Sequence, residues 1–231
     1  MKSLAAAVIG ALALGSAAQA VEYDAYDSFN GVNGAGGFFY MKISNIPGVL
    51  PTLLTSGGGC VVTSVACLQD GGGLPGAYKS LTAFNEGTYH VPDDRLLIHP
   101  GPNSGIGMFF FAPETGVYDY TVSFDILDNS PTGVGIAGGT NASGQFVGGP
   151  LTFLSAQNLT FTKSASVELE QGEWLAFFLN NGGNYSNDST GFSLTLTRDT
   201  AGAVPEPGAW ALMILGFGLA GAAARSRRAM A

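Results

Sequence analysis

The 231-residue sequence predicts an all-β protein, an antiparallel sandwich of the jelly-roll kind. Two stretches alternate apolar and polar residues with a period of two, which is typical of a strand that packs one face on a core. Turn-forming clusters separate the apolar stretches, and the chain contains 35 glycines and 11 prolines. Little of the intervening sequence favours helices, so we expect antiparallel sheets rather than an α/β arrangement.

Residues 1–20 predict a secretory signal peptide. Lys2 provides a positive start, Leu4–Gly15 forms an apolar core, and Ala18-Gln19-Ala20 is a small-x-small cleavage site. The apolar core is short for a helix that must cross the roughly 30 Å hydrocarbon layer of a membrane. We therefore expect cleavage after Ala20 and export of the chain from Val21 onward.

The β-sandwich ectodomain is predicted at residues 21–200. Residues 21–204 contain five basic and sixteen acidic side chains, so the exported part is strongly acidic. A negative surface of this kind repels phosphates, which argues against nucleic acid and anionic lipid as partners.

Cys60 and Cys67 are the only cysteines of the sequence, and six residues separate them. Exported proteins meet an oxidising compartment, so a disulfide that closes a short flap or hairpin is the favoured interpretation. A metal site is the alternative, but the sequence offers no further clustered ligands for it.

The strands are clearest in the second half of the chain. Strict alternation occurs at Tyr118–Ile126 and Phe192–Thr197, and Trp174–Leu179 is apolar on both faces, as a central strand would be. Further strands are predicted at Met108–Phe111, Leu159–Phe161 and Val167–Leu169. Strands in residues 21–94 are less sharply marked.

The loop Asn180–Ser189 is rich in oxygen-bearing side chains and glycines. Hard cations such as Ca²⁺ prefer that chemistry, with Asp188 as the one charged ligand of the loop. The alternative is a loop whose Asn and Asp side chains bond its own backbone, as they do in tight turns. Calcium is therefore a weak candidate, and no other cofactor is expected.

No enzyme is predicted. A hydrolase would have to enlist His90 with a nearby carboxylate and a serine, but no Gly-x-Ser-x-Gly elbow exposes a nucleophile. Asp125 with Asp128, or Glu168 with Glu170, could also be considered as the two carboxylates of a glycosidase. The residues considered for these reactions are His90, Asp93, Asp94, Ser104, Asp125, Asp128, Glu168 and Glu170.

Four features follow one another in the C-terminal region. They are a pair of helix-breaking prolines, an aromatic residue of the kind found at membrane interfaces, an apolar run and a cluster of basic residues. Pro205-Glu206-Pro207 ends a linker at residues 201–207, and Trp210 precedes the apolar residues of a transmembrane helix predicted at 208–224. The basic residues of the cytoplasmic tail at 225–231 are Arg225, Arg227 and Arg228.

This order of features resembles the C-terminal sorting signal of the PEP-CTERM family, in its variant with Trp-Ala after the motif. The resemblance implies processing by an exosortase-type transpeptidase near Pro205-Glu206-Pro207. It also implies a precursor anchored in the inner membrane and a mature protein at the cell surface or outside the cell. An ordinary C-terminal membrane anchor is the alternative.

The segment 95–198 also resembles a recurring ectodomain of exported bacterial proteins. The resemblance lies in Ile98-His99-Pro100-Gly101-Pro102-Asn103, Gly172-Glu173-Trp174 and Asn187-Asp188-Ser189-Thr190-Gly191. It implies a galactose-binding-like or carbohydrate-binding-like sandwich without a defined activity.

Two functions are put forward as hypotheses. The first is a structural protein of the cell surface or the extracellular matrix, since the family is associated with exopolysaccharide and biofilm. The second is a carbohydrate-binding module whose aromatic side chains stack on sugars, in one form assisted by calcium. The aromatic candidates are Tyr23, Tyr26, Phe38, Phe39, Tyr40, Tyr78, Tyr89 and Tyr185. A secreted hydrolase is a distant third.

Overall fold

The computed structural model describes residues 20–56, 60, 66–71, 73–199, 213–217 and 219. The sandwich unit comprises Val21–Arg198. Residues 213–217 and 219 are helical, and no helix in the described ranges is long and apolar enough to cross a membrane. The predicted signal peptide up to Gln19, the Pro-Glu-Pro motif, Trp210 and the basic tail lie outside the described residues, so the predictions made for them remain predictions.

Between Ala20 and Asp199 the described residues form fifteen strands, one short helix and two 3₁₀ turns, Ala35–Gly37 and Ala142–Gly144. The helix α1 is Ala25–Ser28. In chain order the strands are β1 Ala20–Asp24, β2 Phe38–Ser44, β3 Thr52–Leu53, β4 Ala66–Asp70, β5 Gly73–Lys79, β6 Phe84–Glu86, β7 Tyr89–Val91, β8 Leu96–His99, β9 Ser104–Phe111, β10 Gly116–Ile126, β11 Val134–Thr140, β12 Val147–Leu154, β13 Thr160–Leu169, β14 Trp174–Asn180 and β15 Thr190–Asp199.

Two antiparallel sheets form the sandwich, which confirms the predicted fold class. The first sheet has the order β13-β10-β15-β8-β5-β4, with β1 also paired to β15. The second has the order β12-β11-β14-β9-β2-β3, and β6 and β7 form a separate hairpin. Sequence neighbours are often not sheet neighbours, because the chain crosses repeatedly between the two layers.

The strongest sequence patterns lie in strands that they predict. Tyr118–Ile126 falls within β10 and Phe192–Thr197 within β15, and the apolar residues of both stretches are buried. Trp174–Leu179 coincides with β14, which has a partner on each side, as expected for a central strand. These predictions are confirmed.

One strand prediction is wrong. Leu159–Phe161 and Val167–Leu169 are not two short strands, since Thr160–Leu169 is the single strand β13, paired with β10 over its whole length. Thr162, Ser164 and Ser166, between the two apolar stretches, carry hydroxyl groups that are exposed to solvent and bond across the sheet. The hydroxyl oxygens of Thr121 and Ser164, for example, are 2.9 Å apart. These polar residues hide the strand from a search for apolar patterning.

The core between the sheets is rich in aromatic residues. Phe110 of β9 is fully buried, and its ring centroid lies 5.4 Å from that of Tyr118 and 5.3 Å from that of Phe38. Phe124 packs in the same way against Phe192, at 5.2 Å. Tilted and edge-to-face contacts of this kind add to the free energy gained by burying the rings.

The disulfide between Cys60 and Cys67 lies at the edge of the first sheet. Cys67 belongs to β4, and the two Cα atoms are 5.6 Å apart. Residues 61–65, which would form the predicted flap or hairpin, lie outside the described residues.

The two outer faces of the sandwich differ in chemistry. On the first sheet, β10 directs Asp119, Thr121 and Ser123 outward, beside the hydroxyl-bearing residues of β13. On the second sheet, the outward positions of β2, β9 and β14 are mostly apolar, and several of them are aromatic. An apolar outer face is not what exposure to water alone would select, so the second face is the more informative of the two.

Candidate functional site

Six aromatic side chains gather on the outer face of the second sheet, and we call this surface the aromatic face. Alternation along β9 creates it, because Ile106, Met108 and Phe110 point into the core while the residues between them point outward. The face consists of Phe39 on β2, Phe109 and Phe111 on β9, Trp174 and Phe178 on β14, and Phe146 just before β12.

The rings form a connected network across three adjacent strands. The ring of Phe109 is central, with centroid distances of 5.1 Å to Trp174, 5.5 Å to Phe178 and 6.3 Å to Phe111. Phe111 extends the network to Phe39 at 5.0 Å. The strand register explains this proximity, since Phe109 pairs directly with Phe39 on one side and with Ala176 on the other.

Phe146 completes the network at the other edge. Its ring centroid lies 5.8 Å from that of Trp174 and 6.4 Å from that of Phe178. Gly139 and Gly148 make room for it, because a Cβ atom at either position would come within 2.8 Å of the phenyl ring. The two glycines therefore allow an aromatic ring to lie directly on the sheet.

The aromatic face is open to solvent to different degrees. Phe109 is almost fully covered by its neighbours, whereas 58% of Phe146 is exposed, and the adjacent Val147 is exposed as well. The remaining four rings are half-buried. The outward positions of β2, β9 and β14 hold no charged residue in the described strands, so a ligand here would meet an apolar, neutral surface.

The sequence found only one member of this face, Phe39. Phe38, Tyr40 and Tyr78 are buried, and Tyr23 packs at 5.1 Å from the core ring of Phe110. Among the other candidates, the Tyr26 hydroxyl donates a hydrogen bond to the Ser80 carbonyl oxygen at 2.6 Å. Tyr89 lines a cleft, and Tyr185 is exposed in a loop. A signal for four of the five missed rings is present in the sequence, since Met108–Phe111 and Trp174–Leu179 are apolar on both faces. Phe146 lies outside both stretches and has no such signal.

A separate cleft of about 240 Å³ lies at one end of the sandwich. Tyr78, Tyr89, His99, Asp128 and Ser189 contribute to its walls. Burial raises the pKa of Tyr78 to about 12 and lowers the pKa of His99 below its ordinary value. Both shifts favour the neutral side chain at physiological pH, so the cleft holds an uncharged imidazole.

His99 should make the protein sensitive to acid. Its buried ring accepts a proton less readily than it does in the unfolded chain, whose histidine titrates near pH 6.5. We therefore expect the free energy of unfolding to fall as pH drops through about 6.5, because protonation favours the unfolded state. Urea unfolding of the wild type and His99→Gln between about pH 7.5 and 5 checks this.

The His99→Gln variant should lose a smaller part of its stability over that pH range than the wild type. His90→Gln, at an exposed position of β7, is the matched control for the loss of a histidine. Equal pH dependence in the wild type and His99→Gln would contradict the assignment.

The side chains considered for catalysis have other partners. The His90 ring lies 3.1 Å from the amide oxygen of Asn85, and Asp94 and Asp125 both accept hydrogen bonds from Arg95. That interaction holds the pKa of Asp94 below its usual range. The remaining candidates are placed as follows: Asp93 is exposed, Ser104 is buried in β9, Asp128 is buried beside Ser189, and Glu168 and Glu170 are exposed.

Asp188, the calcium candidate, lies buried at the base of its loop. Its Oδ1 atom accepts hydrogen bonds from the Thr132 hydroxyl at 2.8 Å and from the Gly133 amide at 3.0 Å. Burial raises the pKa of Asp188 to about 6, and the nearby charge of Asp128 acts in the same direction. The sequence found Asp188 but missed Thr132, which lies 56 positions away.

Comparison with known proteins identifies one family model. Residues 203–228 match the PEP-CTERM protein-sorting motif. This range contains Pro205, Glu206, Pro207, Trp210, Arg225, Arg227 and Arg228, which the sequence predicts as the sorting signal. No curated protein matches the chain.

Several solved carbohydrate-binding modules are similar in structure at a low level. A family 35 module from Clostridium thermocellum shares 15% identity over 52% of this chain and 88% of its own, with a TM-score of 0.31. A family 29 module, the CBM29-2 mutant D83A complexed with mannohexaose, shares 12% identity over 79% of this chain and 93% of its own, with a TM-score of 0.32. Similarity this low is no guide to the ligand of this chain.

Proposed function

We propose that this chain is an exported bacterial surface protein whose sandwich binds a neutral polysaccharide through the aromatic face. The sorting motif at residues 203–228 supports the first half of the proposal, together with the predicted signal peptide. An exosortase-type transpeptidase would release the precursor from the inner membrane by cutting near Pro205-Glu206-Pro207. The mature protein would then act at the cell surface or in the extracellular matrix.

The aromatic face is the observation that supports polysaccharide binding, the second half of the proposal. Sugar rings present apolar C–H groups on their faces, and these pack against aromatic side chains while the hydroxyl groups remain in water. Six linked rings across adjacent strands offer an elongated platform for a chain of sugars. Because the face carries no charge and the protein is acidic overall, with a net charge of −8, a neutral glycan fits better than an anionic one.

The sandwich would bind sugars and would not transform them. The aromatic rings supply contact area and no group that could transfer a proton. A role in the matrix follows from binding, since a surface protein that holds polysaccharide contributes to the cohesion of the layer around the cell.

Replacing Phe146 with alanine should weaken polysaccharide binding by at least about 10-fold, the loss expected when an aromatic hot-spot residue is truncated. Full-length protein in detergent would be titrated by calorimetry against a soluble glucan and a soluble mannan, with alginate as the anionic comparison. The organism's own exopolysaccharide would be tested by co-sedimentation. We expect saturable binding of a neutral glycan and a matching loss in Trp174→Ala.

Leu81→Ala is the control, because Leu81 is 64% exposed and lies outside the aromatic face. This variant should bind as the wild type does. If the wild type binds none of the neutral glycans, or if Phe146→Ala binds them equally well, the aromatic face is not a glycan site. If Phe146→Ala instead converts a dimer to a monomer in sedimentation, the face is an interface between copies of the chain.

The processing step has its own test. Mass spectrometry of the protein recovered from the cell surface should give a chain that begins at Val21 and ends near Pro205-Glu206-Pro207. This part of the proposal would be contradicted if cells with an active processing enzyme yielded surface protein that still carries Arg225–Ala231.

A further inference from the structure

Four oxygen atoms converge where the loop 181–189, between β14 and β15, meets the loop before β11. The hydroxyl oxygen of Thr132 lies 2.8 Å from the carbonyl oxygen of Asn184, 2.7 Å from that of Ser186 and 2.8 Å from Oδ1 of Asp188. A hydroxyl group has a single hydrogen and can satisfy only one of these acceptors. The Gly133 amide also donates to Oδ1 of Asp188, so two donors face three acceptors. A bound cation would remove this imbalance.

The second carboxylate oxygen of Asp188 is an independent observation. Asp188 is fully buried, and its Oδ2 atom has no hydrogen-bond partner among the described residues. Burying an unpaired carboxylate oxygen is costly unless a cation or a donor compensates it. The unpaired carboxylate oxygen therefore indicates a positively charged ligand at this position.

A second buried carboxylate adds to the negative potential. Asp128 is 6% exposed and accepts hydrogen bonds from the Ser189 amide at 2.7 Å and from the Thr88 hydroxyl at 3.2 Å. Neither Asp128 nor Asp188 takes part in any of the ion pairs formed within the described ranges. The protein therefore supplies two acidic groups here, and neither is ion-paired with a cationic side chain of the described residues.

The loop is held in shape by contacts outside the oxygen cluster. The Asn181 side-chain amide donates to the carbonyl oxygens of Gly101 and Pro102, at 2.9 and 3.0 Å. Gly183 and Asn187 adopt positive φ angles of 108° and 57°, which turn the backbone sharply on either side of Asn184 and Ser186. The carbonyl groups are consequently directed at Thr132 by the fold itself.

We propose that Thr132, Asn184, Ser186 and Asp188 form a binding site for a calcium ion. Ca²⁺ accepts six to eight oxygen ligands from carboxylates, carbonyls and water in flexible geometry, whereas Mg²⁺ demands a near-ideal octahedron. The described residues contain no cluster of three or more His, Cys, Asp or Glu side chains, so the ligands are mainly neutral oxygens. A site with one carboxylate ligand belongs to the weak class, with a Kd of about 0.1–1 mM.

Calcium titration of the full-length, chelator-treated protein tests this site. We expect the melting temperature to rise with CaCl₂ and to reach half of its total rise at about 0.1–1 mM, with a clearly smaller effect of MgCl₂ at equal ionic strength. Asp188→Asn, which preserves the shape of the side chain, should weaken calcium binding at least about 10-fold. Glu168→Gln removes an exposed charge elsewhere and should respond as the wild type does.

Terbium luminescence provides a second readout that does not depend on stability. Tb³⁺ replaces Ca²⁺ at oxygen sites. Tyr185 is the residue between Asn184 and Ser186 in the sequence, and it is 40% exposed. Excitation of tyrosine should therefore sensitise bound Tb³⁺, and added Ca²⁺ should displace it. Tyr185→Phe should lose the sensitised emission while keeping the calcium-dependent rise in melting temperature.

Thr132→Val covers the case in which Asp188→Asn does not fold, because it removes one ligand near the surface. It should also weaken calcium binding. Equal calcium affinity in the wild type and in the folded ligand variants would overturn the proposal. So would the absence of saturable binding up to about 10 mM calcium in the wild type.

Discussion

Replacing Phe110 with alanine should lower the free energy of unfolding by about 3–5 kcal/mol, as deletion of a buried phenyl ring commonly does. Phe110 is fully buried at the centre of the sandwich and contacts the rings of Tyr23, Phe38 and Tyr118. These neighbours belong to strands of both sheets, so they cannot close the cavity without disturbing strand pairing. The variant loses both the transfer free energy of the ring and its packing contacts.

Urea unfolding at constant m-value would measure this effect. Phe146→Ala is the comparison, since more than half of that residue is exposed, and its expected cost is below about 1 kcal/mol. The two variants should separate stability from binding: Phe110→Ala should bind polysaccharide normally while folded, whereas Phe146→Ala should not. A cost below about 1 kcal/mol for Phe110→Ala would contradict the buried position of the ring.

Replacing Gly105 with alanine should destabilise the protein by at least about 2 kcal/mol. A Cβ atom on Gly105 would lie 2.4 Å from the carbonyl oxygen of Leu179 on the neighbouring strand β14. The obstructing atom is part of the backbone of a central strand, so no side-chain rotation can relieve the clash. The pairing of β9 with β14, which supports the aromatic face, must shift instead.

Gly149→Ala is the matched control in β12. A Cβ atom there meets nothing within 4 Å, so its expected effect is within about 0.5 kcal/mol. Thermal and urea unfolding of the two variants, compared with the wild type, would give both values. Similar stabilities for Gly105→Ala and Gly149→Ala would mean that β9 and β14 approach less closely than described.

The sequence by itself determined the fold class, the faces of the clearest strands and the sorting motif. Alternation at Tyr118–Ile126 identified the inward face of β10, because side chains of a strand point to opposite sides in turn. The sorting motif was recognisable because its residues are contiguous in the chain. Apolar patterning divides β13 in two, because Thr162, Lys163 and Ser164 in its middle are exposed and burial imposes no apolar pattern there.

Only the tertiary structure decided which residues meet. Phe39, Phe109 and Trp174 lie far apart in the sequence, and the register of β2, β9 and β14 brings their rings together. The oxygen cluster likewise joins Thr132 to a loop more than 50 residues away. Local periodicity reports which side of its own strand a residue faces. The neighbour across the sheet is instead set by long-range packing of the core, which no local pattern records.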